Sequence, residues 1–109
     1  MNSMNKVENN PKESEKKLEA KLRKEVEKRG GQAFKFLSQF HRGLPDRIVL
    51  MPGGRVYFVE LKSTGCRPTA LQLRCHNLLR TLGFIVAVID STASLQNFLT
   101  LIDQDSHAV

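Results

Sequence analysis

Residues 55–62, Arg-Val-Tyr-Phe-Val-Glu-Leu-Lys, constrain the fold more than any other stretch, because the segment is apolar at odd and even positions alike until its last three residues. A strand that is apolar on both faces must be covered above and below, so this one is expected at the centre of a sheet with a layer on either side. Pro52-Gly53-Gly54 immediately upstream is a turn signal, and the apolar run over 46–51 before it completes a hairpin. Downstream, residues 63–67 read as a loop. Pro68 is expected at the first position of a helix that carries Leu71, Leu78, Leu79 and Leu82 to Gly83. Residues 84–89, Phe-Ile-Val-Ala-Val-Ile, are a second buried strand. The intervening helix makes a right-handed crossover, so this strand should run parallel to 55–62.

The rest of the chain fits around that unit. Over residues 12–29, Leu18, Leu22 and Val26 recur at helical spacing, and Gly30-Gly31 ends the helix beside Lys28 and Arg29, which complement its negative pole. A strand is expected over 32–37, with Phe34 and Phe36 on its apolar face and Lys35 facing away, followed by a loop through His41 to Pro45. A closing helix over 92–102 takes its cap from Ser91 or Thr92. The order is αβββαβα. One α/β domain spans 12–103, with a flexible polar tail over 1–11 and a short tail over 104–109.

Composition excludes several classes. No stretch approaches the ~20 apolar residues of a membrane span. The polar start Met1-Asn2-Ser3-Met4-Asn5-Lys6 carries no apolar targeting core, which implies a cytoplasmic rather than secreted protein. Cys66 and Cys75 are then expected as thiols, and with His76 they fall short of a zinc site. The 17 Lys and Arg against 11 Asp and Glu give a net charge of +6. Residues 31–89 hold Lys35, Arg42, Arg47, Arg55, Lys62, Arg67, Arg74 and Arg80, against only Asp46 and Glu60. A middle segment nearly emptied of carboxylates points to a polyanion, with nucleic acid first in line. The two acids that remain need a reason, and metal coordination is the leading one.

Strand alternation puts Glu60 and Lys62 on one side of the central strand's end, and counting back from the turn brings Asp46 to the same end of the hairpin. Two carboxylates converging there would repel unless a divalent cation lay between them. Mg²⁺ suits such a place, since it takes one or two carboxylates together with waters and substrate phosphate oxygens. It would supply a more acidic bound water and neutralise charge developing on a phosphodiester. Lys62 is expected to orient the attacking water or stabilise the transition-state charge. The competing reading is a structural ion-pair cluster within a nucleic-acid-binding module.

Gly43-Leu44-Pro45-Asp46-Arg47, the run from Gly53 to Glu60-Leu61-Lys62, Gln72 in the next helix and Leu79-Arg80-Thr81-Leu82-Gly83, within this order of elements, resemble the PD-(D/E)xK nuclease superfamily. Within it the chain looks most like the virus-type replication-repair nuclease (VRR-NUC) domain, over about residues 15–100. The resemblance implies a restriction-endonuclease-like αβββαβ core with a mixed sheet flanked by helices, and Mg²⁺- or Mn²⁺-dependent DNA cleavage. It implies Asp46 and Glu60 as ligands, the Leu61 carbonyl as a third, Lys62 as catalytic, and an acid from the first helix. Glu19, beside the apolar stripe, is the candidate for that acid, with Glu15 one turn earlier as its substitute; a solvated glutamate paired with lysine is the plain alternative. The Gln72 amide is suited to a metal-bound water and a phosphate. Lys35, His41, Arg42, Arg47, Arg67 and Arg74 are candidates for DNA backbone contact. Small stand-alone members of the family are associated with four-way (Holliday) junctions in DNA repair. Two symmetric cuts by chains with one site each imply a C2 homodimer. A nicking or flap nuclease is the alternative within the enzyme class.

Overall fold

The computed structural model describes residues 14–36 and 43–106. The expected polar tail over 1–11, Leu37, the candidate DNA contacts His41 and Arg42, and residues 107–109 lie outside them. Helix α1 (Glu15–Lys28) starts at Ser14, whose extended backbone and hydroxyl, accepting from the Lys17 amide, cap the first turn. This places the start after residue 14 and not at Lys12. At the other end Gly30, with φ of 83°, takes the left-handed conformation that turns the chain into the sheet.

Strands β1 (Gln32–Lys35), β2 (Arg47–Met51) and β3 (Arg55–Leu61) form an antiparallel meander. Helix α2 (Ala70–Thr81) crosses over to β4 (Ile85–Ile89), which pairs parallel to β3, and α3 (Thr92–Asp105) closes the domain. The sheet order is β1-β2-β3-β4, so β3 is central, as its composition requires. The α/β class, the mixed sheet and the element order are those read from the sequence.

One buried cluster holds the fold together: Leu18, Leu22 and Val26 of α1, alternate residues of β2 and β3 (Val49, Met51, Tyr57, Val59, Leu61), Ile89, and Leu95, Phe98, Leu99 and Ile102 of α3. Helices α1 and α3 therefore share one sheet face, and α2 lies on the other, against β4. At the far end of β3 the Tyr57 hydroxyl donates to Asp105 Oδ2 at 2.6 Å, while Arg55 Nη1 donates to the Tyr57 oxygen at 3.1 Å and to the Ile102 carbonyl at 2.9 Å. These bonds pin the last turn of α3, which is why that helix runs past residue 102 to Asp105 and includes the start of the segment expected as a tail.

Two local expectations are corrected and one choice is decided. Pro68 does not open α2; Thr69 caps it, because Thr69 and Gln72 form a capping box, each side chain accepting from the other's backbone N–H. Of the two candidate caps of α3, Ser91 is the one used. In β1 the faces are reversed: Ala33 lies opposite Val49 and Lys35 opposite Arg47, so Lys35 shares the face of the main core while Phe34 is 49% exposed on the other. The register of the meander decides this, and the two phenylalanines do not.

Candidate active site

The site is built where β2 begins and β3 ends. Because Arg47 pairs with Val59, Asp46 falls beside the Glu60–Leu61 end of β3, and its Oδ1 accepts from the Leu61 backbone N–H at 3.1 Å. Glu60 points to the α2 side and is only 3% exposed. Burial first, and the Asp46 charge second, push its carboxyl up to about 7, against the pull of Lys62. Lys62 Nζ stands 3.9 Å from Glu60 Oε2. The two acids and the lysine are thus brought together.

Gln72 joins them from α2. In the capping box its Oε1 accepts from the Thr69 N–H at 2.9 Å, which leaves Nε2 to donate to Glu60 Oε2 at 3.1 Å. Both ends of the amide are engaged by the protein. One turn on, His76 is fully buried with Nε2 3.8 Å from Glu60 Oε1, and neither ring nitrogen nor that oxygen has a hydrogen-bond partner. Burial lowers the His76 pKa, and the Arg80 and Lys62 charges lower it further, so the ring is held neutral. Sequence reasoning passed over His76. The signal was its spacing of four from Gln72, which puts both side chains on one helix face.

The first helix contributes differently from expectation. Glu19 Oε2 accepts from Arg47 Nη2 at 3.0 Å and is engaged there, whereas Glu15, one turn earlier, lies close enough to Glu60 for its charge to raise the Glu60 pKa. Arg47 is not a surface cation: its side chain is 6% exposed, with Nη1 donating to the Asp46 carbonyl at 2.9 Å and standing 3.4 Å from Asp46 Oδ2. It is corrected from a DNA contact to a buried link between Glu19 and Asp46. Lys35, Arg67 and Arg74 are exposed.

Gly43 sets the approach to Asp46. A Cβ there would meet Cys75 Sγ at 2.6 Å and the Leu71 carbonyl oxygen at 2.7 Å, so only glycine lets the loop lie directly on α2. The loop carrying Asp46 is thereby seated on the helix carrying Gln72 and His76.

Among the described residues no group of three or more His, Cys, Asp or Glu is arranged to hold a metal ion by itself. The chemistry of the donors nevertheless suits a hard cation that keeps several waters, since two carboxylates stand together and the charge of Asp46 opposes the ionisation of Glu60.

No protein-family model matches the chain. Over 77 residues it is 49% identical to “Putative nuclease p44” of Acyrthosiphon pisum secondary endosymbiont phage 1, covering 71% of this chain and 83% of that one. A solved structure described as a VRR_NUC domain has a TM-score of 0.75 and 27% identity, over 81% of this chain and 97% of that chain.

Proposed function

The chain belongs to the virus-type replication-repair nuclease (VRR-NUC) family, and on that premise we propose that it is a Mg²⁺- or Mn²⁺-dependent, structure-selective endodeoxyribonuclease acting on branched DNA, four-way junctions foremost, as a homodimer. The observation that carries this reading is the meeting of Asp46 with a buried Glu60 whose charged form the metal-free protein disfavours. A cation between the two carboxylates offsets that cost.

Asp46 and Glu60 would hold the ion, with the Leu61 carbonyl as a further donor and Glu15, rather than the engaged Glu19, as the acid from α1. When bound, the ion supplies a more acidic water and neutralises charge developing on the phosphate. Lys62 places a positive charge beside Glu60, where it stabilises the same developing charge. Gln72 orients Glu60. Exposed Lys35, Arg67 and Arg74 offer the DNA backbone contacts whose sequence-independent character suits recognition of shape. For the dimer, Leu71 and Leu78 of α2 and Leu82 at its C-cap follow one stripe and are 45%, 59% and 64% exposed, an apolar surface that a second copy would cover.

The test is cleavage of junction, flap, single-strand and duplex DNA by purified protein in Mg²⁺ or Mn²⁺. Wild type is expected to cut junctions best, and Asp46→Asn and Glu60→Gln to bind DNA at least as well without cutting. Wild-type protein that binds DNA and cuts none of these substrates with either metal would show a non-catalytic binding module.

A further inference from the structure

His76 is the most deeply buried polar side chain among the described residues, and the mechanism above does not use it. Its two ring nitrogens and Glu60 Oε1 are buried without partners, yet Nε2 and Oε1 face each other at 3.8 Å. A buried donor and a buried acceptor left unpaired both forfeit the hydrogen bonds they had in water, and a small side-chain rotation closes this gap into one bond that serves both. Active-site hydrogen bonds are often long in an unliganded enzyme and tighten when substrate is in place.

Helix α2 then addresses both oxygens of one carboxylate from positions four apart: Gln72 donates to Oε2 at 3.1 Å, and His76 faces Oε1. The Gln72 amide is itself fixed by the capping box. We propose that His76 is a positioning residue, its Nε2–H donating to Glu60 Oε1, so that His76 and Gln72 together set the orientation in which Glu60 meets a divalent cation. This rests on the reading of Glu60 as a metal ligand. A carboxylate accepts about four hydrogen bonds or metal contacts, so the two bonds from α2 leave room for the ion. Outer-shell partners that hold a ligand this way commonly control affinity for the ion.

Two variants and one measurement on the unaltered protein test it. His76→Leu fills the space without a donor; His76→Gln restores an N–H. In calorimetric titration with Mn²⁺, His76→Leu is expected to bind at least about tenfold more weakly than wild type, and His76→Gln to recover most of that loss. In ¹⁵N NMR of wild type the ring is expected in the Nε2–H tautomer, with its signals moved by Glu60→Gln. Unchanged Mn²⁺ affinity in a folded His76→Leu protein, or an Nδ1–H ring in wild type, overturns the proposal. Wild type that binds no Mn²⁺ and cuts no DNA overturns the nuclease reading instead, and the tautomer alone then decides whether the His76–Glu60 bond exists.

Discussion

At the scale of single residues, the site stores electrostatic cost. A carboxyl whose pKa is higher folded than unfolded takes up protons on folding. Glu60, raised from 4.5 to about 7, therefore costs no stability at pH 4, costs more with each step of pH between those values, and costs its full amount above about 7. Glu60→Gln keeps the acceptor for Gln72 and removes the charge. In urea unfolding of metal-free protein it is expected to gain about 1–3 kcal/mol at pH 8 and almost nothing at pH 4. Arg47→Leu should do the reverse, losing about 1–3 kcal/mol in the same assay, because Glu19 and Asp46 both lose the guanidinium that links them. Asp46, Glu60 and Lys62 are legible in the sequence because strand alternation and a short turn fix their relation. Arg47 is not, since its burial depends on an acid from a helix some thirty positions earlier, and sequence shows a cation without showing its cover.

At the scale of elements, the loop before β2 and helix α2 act as one part. Gly43→Ala inserts a methyl group against the Leu71 carbonyl and Cys75, and the loop must lift away, taking Asp46 with it. Cleavage should fall by about a hundredfold, in keeping with what an ångström of misplacement costs, while circular dichroism shows the helices and sheet retained. Thr69→Ala tests the capping box: it removes the hydroxyl that accepts from the Gln72 backbone N–H and should destabilise the protein by about 1 kcal/mol in thermal unfolding, while the residue-69 N–H that holds the Gln72 amide is kept. The elements themselves are readable from periodicity, and their order from the crossover rule. The cap of α2 was missed because Pro68 draws attention to itself as a first helical residue, while Thr69 and Gln72 at capping-box spacing carry the stronger signal. The facing of β1 was missed because two phenylalanines outweigh one alanine in any pattern, whereas the pairing of the strands decides which of them is covered.

At the scale of the whole molecule, a chain of net charge +6 should bind DNA with an affinity that falls steeply and linearly on a logarithmic salt scale, a dependence measurable by fluorescence anisotropy. Gel filtration is expected to give the size of a dimer, and Leu78→Glu with Leu82→Glu to give a folded monomer, since both side chains face solvent in the single chain. The division of labour between the two sheet faces also follows from the fold: α1 and α3 close the main core on one side, and α2 is left free to serve the carboxylates on the other. The knot of Arg55, Tyr57 and Asp105 has a corollary for how such a protein evolves. It grips β3 three residues, or about 10 Å, from Glu60, far enough for mutations there to strengthen the framework without disturbing the chemistry. A lineage can accumulate robustness at that end of the strand and use it to tolerate the cost of burying a carboxyl at the other.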